Sequence, residues 1–404
     1  MGLIMKLLSL SLALLVLACL PARSHAVEVS LTSSTQYLWY QDFVADKNQN
    51  DIAQYLRLNV TRLDKEGKAN IFMYGRASQQ VTSDEGLRGR LYYLYFSYQD
   101  ALNNHLDLRA GRTFVNSASV TGTIDGGYLE LKNLGPLGIT GFGGREVLFQ
   151  DKQEVGGGNA MSGTSVYLNL PKNTHIEVSY GNKYRNSDLA RENIGLDYST
   201  TPFEMFNTYG RVKYDTINDK YNELLFGLKL VPVKDLVLKA EYLQTRPTFD
   251  NNSIYTIFQV DRYKEINAVI EYEITSAYRL NLKYAKEYFG EEADANVYDI
   301  GILARPVKDL TINASYEKRN GFSGELSGFR VNAGYDINQA RIQAGIDYDD
   351  FTRQDSRGDT AKKYWAGAGY QFNKLVGLTA RVEMDDNYRD SDSWQGFAAV
   401  NINY

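Results

Sequence analysis

Histidine is the scarcest side chain in this sequence that could act as a catalytic base. The chain has three, at His25, His105 and His175. His175 begins an alternating segment and shares its polar face with Glu177 and Ser179. A hydrolase needs a base, a nucleophile and an orienting group within reach of one another, and nothing else in the sequence completes such a set. We therefore expect His175 to be a polar residue on the face of a strand or beside a turn, and we predict no catalytic residues and no enzyme activity.

Glycine-rich and acidic runs are the other segments whose composition could bind a ligand. Glycines cluster at 126–127, 141–144 and 156–158, but none of these runs precedes Lys-Ser or Lys-Thr or opens a helix, so no phosphate-binding loop is predicted. The acidic runs 347–350 and 383–386 could bind Ca²⁺ or bridge lipopolysaccharide through divalent cations. We favour the interpretation that these acidic residues are hydrated where a strand meets a loop and bind no cation. We predict no metal site and no cofactor.

The N-terminus has the pattern of an exported protein. Lys6 precedes an apolar run over residues 7–20, and Ser24-His25-Ala26 supplies a small-x-small cleavage site. We predict a cleaved signal peptide over residues 1–26 and a mature chain over residues 27–404. Because Cys19 is the only cysteine, that mature chain would hold no disulfide and no haem attached through cysteine.

Charge and hydropathy exclude two other classes of protein. The predicted signal peptide holds Lys6 and Arg23 and no acidic residue, so the mature charge is 42 − 49 = −7, and a mildly acidic chain is a poor nucleic-acid binder. No apolar run after the signal approaches the roughly 20 residues that a spanning helix needs. The mean hydropathy of −0.40 still permits a membrane barrel, because every second residue of such a strand faces water.

A period of two in hydrophobicity runs through the chain. Leu236, Leu238 and Ala240 alternate with Lys239 and Glu241, and the same pattern recurs at 280–284, 310–317, 341–348 and 378–384. Successive side chains of a strand point to opposite faces. Each segment is therefore predicted to be a strand with one apolar and one polar face.

An internal repeat indicates that these strands form hairpins. Residues 226–236 and 300–310 both end in Pro-Val-Lys-Asp-Leu, and proline marks the end of a strand because it cannot donate to the ladder. Similar short turns, one of them placed at 201–203, recur about every 31 to 42 residues. Longer connections are predicted opposite them, at 114–126, 150–163 and 247–262 among others. The fold class is all-β: a single closed antiparallel up-and-down transmembrane β-barrel of about 22 strands, range 18–22.

The last segment, residues 394–404, is the clearest of these strands. Trp394, Val400, Ile402 and Tyr404 lie on one face, and amides lie on the other. The segment resembles the C-terminal signature strand of bacterial outer-membrane β-barrels, which ends in an aromatic residue. The resemblance implies that Tyr404 is the assembly signal for the barrel assembly machinery. We expect this strand to close the barrel against the first strand, near residues 27–40, so that no edge is left in lipid.

Tyrosines that end the apolar faces are predicted to form one aromatic girdle at the lipid–water boundary, with packing in a sandwich core as the alternative. They are Tyr180, Tyr242, Tyr284, Tyr316 and Tyr348. Charged residues of the opposite faces are predicted to line the lumen and set its selectivity, unless they pair across strands and only keep the wall wettable. These candidates are Arg57, Asp107, Arg109, Glu177, Glu223, Lys229, Lys239, Glu241, Glu271, Lys283, Arg341, Asp347, Arg381 and Glu383.

The resemblance to porin-class barrels covers residues 27–404 and implies an outer-membrane channel. Ions or small hydrophilic solutes would diffuse passively through a polar lumen, without catalysis or cofactor. No plug and no long constriction loop is evident for a barrel this wide. The chain is therefore also similar to the barrel component of porin–cytochrome electron conduits, a sheath around a multihaem cytochrome. Expected partners are outer-membrane lipid, lipopolysaccharide and the assembly machinery, with a homo-oligomer as a further alternative and no nucleic acid.

Overall fold

A computed structural model of the chain describes residues 27–42, 47–82, 86–149, 158–246, 262–290, 293–322, 324–352, 358–387 and 390–404. The predicted signal peptide lies outside these residues. So do most of the connections predicted at 150–163 and 247–262. No helix in the described ranges is long and apolar enough to cross a membrane.

The described chain forms a single closed sheet of 22 strands. Each strand pairs antiparallel with the next in sequence, and β1 also pairs with β22. This confirms the predicted closed up-and-down barrel and its strand number. The strands are β1 (Glu28–Asp42), β2 (Lys47–Thr61), β3 (Ala69–Gln80), β4 (Arg88–Asp100), β5 (Leu106–Asn116), β6 (Thr121–Leu134), β7 (Leu137–Glu146), β8 (Ala160–Leu170), β9 (Thr174–Arg185), β10 (Asp188–Phe203), β11 (Phe206–Asp215), β12 (Lys220–Val233), β13 (Leu236–Thr245), β14 (Tyr263–Thr275), β15 (Tyr278–Phe289), β16 (Ala293–Val307), β17 (Leu310–Gly321), β18 (Glu325–Ile337), β19 (Ala340–Thr352), β20 (Gly358–Gln371), β21 (Val376–Asn387) and β22 (Asp390–Asn403).

The barrel closes where the sequence predicts, between its first and last strands. The β1–β22 ladder runs from Thr32 opposite Asn403 to Trp39 opposite Gly396. Beyond it, the backbones of Leu31 and Tyr404 exchange two N–H···O hydrogen bonds of 2.8 Å. This closure satisfies the strand edges that would otherwise be exposed to lipid.

The two faces of the strands differ in the way that alternation requires. On β14, Ile266, Ile270 and Tyr272 are exposed on one face, and Glu265 and Glu271 occupy the other. Directly paired residues of an antiparallel ladder share a face, so this division continues from strand to strand. One face of the closed sheet is therefore apolar, and the other is polar and charged.

Short turns join the strands at the end of the barrel where the Pro-Val-Lys-Asp motifs occur. Lys234–Asp235 and Lys308–Asp309 are two-residue turns. In both hairpins a register shift spans the preceding proline, Pro232 or Pro306, because proline cannot donate to the ladder. The turn predicted at 201–203 is misplaced: β10 continues to Phe203, and the turn follows it at 204–205.

Two longer turns at this end depend on local polar groups and unusual backbone angles. Asp64 accepts hydrogen bonds from the backbone amides of Ala69 at 3.0 Å and Lys68 at 2.7 Å. These amides, that of Ala69 above all, hold the pKa of the Asp64 carboxyl below its usual value. The turn α1 (Ala101–Asn104) contains Leu102 at φ 49° and Asn103 at φ 59°, which is the left-handed region.

Candidate functional site

A short segment between β5 and β6 identifies the inner face of the barrel. The inward segment, residues 117–120, is buried, and Ala118 and Ser119 have no exposed surface. The Ser119 N–H donates to Ser179 Oγ of β9 at 2.9 Å. A segment that leaves the β5–β6 edge and reaches β9 has crossed β7 and β8, and its full burial places it inside the closed sheet. The predicted connection at 114–126 is therefore shorter than expected, because β5 extends to Asn116 and β6 begins at Thr121.

Glycines in the wall allow the inward segment to lie directly on the strands. A Cβ atom at Gly181 would be 2.4 Å from Val120 Cγ1, and one at Gly195 would be 2.4 Å from the carbonyl carbon of Ala118. Neither contact is possible for a larger residue without movement of the segment. Gly181 and Gly195 therefore fix how closely the segment approaches β9 and β10.

Apolar side chains secure the base of the inward segment. Val115, Val120, Ile124, Phe142 and Met161 form one buried cluster, with Tyr128 packed against it. All come from the inner face of β5–β8 or from the segment itself. The cluster fills the interior beside these strands, so any passage lies away from them and towards the rest of the wall.

Charged side chains on the inner face are extensively paired. Glu146 is nearly buried between Lys183 Nζ at 2.9 Å and the Arg185 guanidinium. Arg319 of β17 reaches Glu287 of β15 at 2.5 Å across an intervening strand. Side chains two strands apart come closer together on a concave surface than on a convex one. This ion pair therefore agrees with the assignment of this face to the interior.

The predicted lumen charges all lie on this inner face, and they fall into two groups. Those with an oppositely charged side chain within 4.0 Å are Asp107, Glu223, Lys239, Glu271, Arg341, Arg381 and Glu383. Glu177 lies 3.9 Å from the imidazole of His175. Within the described ranges no ion pair involves Arg57, Arg109, Lys229, Glu241, Lys283 or Asp347, although Glu241 accepts a hydrogen bond from Tyr209. The sequence leaves open whether these charges pair across strands, and in the structure some of them do and others do not.

The tyrosines predicted for the girdle lie on the outer face. Tyr180, Tyr284 and Tyr316 are exposed, and Tyr242 and Tyr348 are half-buried. Tyr284 contacts Tyr298 with ring centroids 5.2 Å apart, and Tyr348 stacks on Phe329 at 5.3 Å. Their depth in a membrane stays a prediction.

In the described chain no hydroxyl or thiol group is hydrogen-bonded to His175, although Ser165 lines the same cavity. Its Nδ1 lies 2.8 Å from Asn169 Oδ1, and its Nε2 lies 3.9 Å from Glu177 Oε2. The ring faces a cavity of about 270 Å³ that Tyr128 and Tyr167 also line. Among the residues that the structure describes, no group of three or more histidine, cysteine or acidic side chains could hold a metal ion.

Arginines stacked on tyrosines are the inner-face feature that the sequence reading missed. Arg57 Cζ lies 5.1 Å from the ring centroid of Tyr74, and Arg76 Cζ lies 5.6 Å from that of Tyr55. The ladder places Arg57 opposite Tyr74 and Tyr55 opposite Arg76. Only Arg57 of these was predicted to line the lumen. The alternation Phe72, Tyr74, Arg76 contained the signal that could have added the others.

Comparison with known proteins finds similar chains among solved structures alone. The chain is similar to Pseudomonas aeruginosa OccK5 (OpdH), with 12% identity over 93% of this chain and 97% of that chain and a TM-score of 0.48. The likeness is one of fold. A BenF-like porin from Pseudomonas fluorescens Pf-5 matches at 10% identity over 94% of this chain and 98% of its own, with a TM-score of 0.49. Acinetobacter baumannii OccAB2 matches at 12% identity over the same shares, also with a TM-score of 0.49. No family model and no curated protein matches.

Proposed function

We propose that this protein is an outer-membrane channel through which ions or small hydrophilic solutes diffuse passively. One observation carries the proposal: the sheet closes completely, with an apolar outer face and a charged inner face. A closed barrel is one of the two structures that can satisfy every backbone polar group in lipid. A polar interior then offers a water-filled path rather than a protein core.

The mechanism needs positioning and electrostatics and no covalent step. Solute would pass beside the inward segment, along the wall that the apolar cluster leaves open. Charged groups of the inner face would set which ions enter, since rings of fixed charge select by sign. The outer tyrosines would anchor the barrel at the lipid boundary, and the β1–β22 closure would allow insertion without a free edge.

A sheath around a multihaem cytochrome has no support in the described residues or in the comparisons. The interior beside β5–β9 is occupied by the chain's own inward segment and apolar cluster. A passive channel is therefore the function that the described structure supports best.

Liposome swelling tests the proposed function. Purified, folded protein reconstituted into vesicles should allow uncharged solutes such as arabinose to enter, with rates that fall steeply as solute size increases. The same protein denatured before reconstitution is the control, and protein-free vesicles give the baseline. Swelling no faster than that baseline, from protein with the circular dichroism of a folded β-barrel, would contradict the proposal.

A further inference from the structure

A recess in the outer face of the barrel has no role in the proposed function. It is a groove of about 450 Å³ across β14–β17, and Ala268, Leu282 and Ile300 of the apolar face form its floor. Ala268 pairs with Ala240 on one side and with Tyr284 on the other. Two small side chains therefore lie beside a large ring, and the surface that faces lipid is hollowed at this point. We call this recess the outer groove.

Aromatic and basic side chains border the outer groove at the end of the barrel opposite the Pro-Val-Lys-Asp turns. The residues on this border are Tyr284, Tyr298, Tyr316 and Lys318. Tyr284 and Tyr316 each follow the first residue of their strand by six positions. Lys286 and Lys318 follow the same first residues by eight positions. Because β15 and β17 both start directly after a two-residue turn, the two lysines lie at one level, just beyond the tyrosines.

The border carries an excess of positive charge. Beyond the tyrosines, the described outer face of β14–β17 holds three lysines, Lys264, Lys286 and Lys318, and a single acidic residue, Asp294. Asp294 pairs with Lys286 at 3.0 Å, whereas Lys264 and Lys318 form no ion pair with any residue that the structure describes. Lys362, on the same face at β20, has an aspartate of β21 at 3.5 Å. The unmatched charge at the outer groove therefore favours an anion from outside the chain.

The outer groove and its border match the two parts of a phosphorylated lipid. An acyl chain makes more van der Waals contacts in an apolar recess than on a flat wall. The ammonium groups lie where anionic headgroups do, since long cationic side chains extend along apolar surface to the interface that the tyrosines mark. The groove therefore favours a lipid with an acyl chain on its floor and negative charge at its border.

The separation of two lysines selects among such lipids. Tyr298 pairs with both Lys318 and Tyr284, and Tyr284 lies two residues before Lys286. With about 4.8 Å between strands and about 3.3 Å per residue, the Cα atoms of Lys286 and Lys318 are about 12 Å apart. Lys286 contacts Asp294 and the ring of Tyr288, both farther from the short turns than itself, so its ammonium does not lean towards Lys318. A headgroup with two phosphates at opposite ends of a disaccharide matches two separate cations better than a glycerophospholipid with one.

We propose that the outer groove binds one molecule of lipopolysaccharide through lipid A, its phosphorylated and acylated disaccharide. An acyl chain lies on Ala268, Leu282 and Ile300, and the two phosphates contact Lys286 and Lys318. The lysines lie at the end opposite the short turns, which is the extracellular side of outer-membrane barrels, where lipopolysaccharide forms the outer leaflet. This inference rests on the outer-membrane location in the proposed function and does not depend on conduction through the lumen.

Native mass spectrometry tests this inference. Folded protein in detergent is titrated with lipid A that carries both phosphates, with dephosphorylated lipid A and with phosphatidylglycerol, and the Kd of each is obtained from the fraction of protein that carries one lipid. The unmodified protein should bind lipid A with both phosphates most tightly. Lys318→Gln should raise that Kd about fivefold, as expected for one lysine near an anionic surface. Adding Lys286→Gln should raise it further.

Three more variants separate charge, groove and fold. Lys318→Arg keeps the charge and should keep the Kd of lipid A. Lys362→Gln makes the same change of charge as Lys318→Gln on the same face, at a lysine with its own aspartate, and should leave that Kd unchanged. Ala268→Phe fills the groove at an exposed position and should weaken binding of lipid A while all the lysines remain. Heat-modifiable migration of each variant establishes that it is folded.

The outcomes distinguish this inference from the proposed function. Equal affinity for lipid A with and without phosphates, or an equal effect of Lys318→Gln and Lys362→Gln, would overturn the inference. Equal affinity for phosphatidylglycerol would also overturn it, because an ordinary phospholipid would then be the occupant. Folded protein that binds lipid A as expected and passes no ions would overturn the proposed channel function alone.

Discussion

The hydrogen bond between Ser119 and Ser179 is expected to hold the inward segment against the wall. Ser179→Ala removes the Oγ acceptor 2.9 Å from the Ser119 N–H. Because Ser119 has no exposed surface, its amide would lose its partner while still buried. Such a loss costs about 1–3 kcal/mol, which corresponds to a rise of roughly 5- to 150-fold in the local opening equilibrium of the segment.

Amide hydrogen exchange measures this opening directly. In detergent-solubilised protein, the protection factor of the Ser119 amide should fall by the same factor in Ser179→Ala. The amides in the middle of β14 and β15 should keep their protection, because the change is local. The open-channel current should also become noisier as the segment leaves the wall more often.

A serine-to-alanine variant on the neighbouring strand provides the control. Ser162 of β8 donates to Asn182 Oδ1 of β9 at 2.7 Å, on the outer face. Ser162→Ala therefore removes a side-chain hydrogen bond between β8 and β9 without touching the inward segment. Unchanged Ser119 protection in Ser179→Ala, or an equal fall in both variants, would refute the assigned role of this bond.

Three further predictions concern assembly, stability and pH. Deletion of Tyr404 should lower the amount of barrel in the outer membrane without changing the conductance of barrels that insert; normal levels on immunoblots of membrane fractions would disprove it. Glu146→Gln should destabilise the folded barrel by about 3–5 kcal/mol in urea titrations, because two nearly buried cations lose their carboxylate. Glu273→Gln, in an exposed pair, should have little effect, and equal losses would count against this reasoning. Asp64 has a lowered pKa in the folded state, so its contribution to turn stability is present above the unfolded-state pKa and is lost as pH falls through the folded-state pKa. An NMR titration of the turn amides with a midpoint at or above the ordinary aspartate value would contradict this.

The strand architecture was predictable because it depends on the local alternation of apolar and polar residues. Each hairpin needs only a period of two and a turn, and both are visible over about ten residues. The closure between β1 and β22 followed from the need to leave no edge in lipid. The misplaced turn at 201–203 shows the limit of this reasoning. Pro202 lies within a register shift of the β10–β11 ladder, but Phe203 pairs again with Phe206 before the turn at 204–205.

The inward segment could not be predicted from any one part of the sequence. Its position depends on Gly181 and Gly195, which lie some sixty to eighty residues from Ser119 and are brought together only by the sheet register. The pairing of charged side chains could not be predicted from the sequence for the same reason. Arg319 meets Glu287 across an intervening strand, a contact that requires both the register and the curvature of the wall.

Single-channel recording in a planar bilayer tests the central claim most directly. Folded protein added to one side should insert in discrete steps of uniform conductance that rises with salt concentration, as expected for a water-filled barrel with a charged inner face. Folded protein that reaches the bilayer and passes no ions at any salt concentration or voltage would contradict the claim that this barrel is a channel.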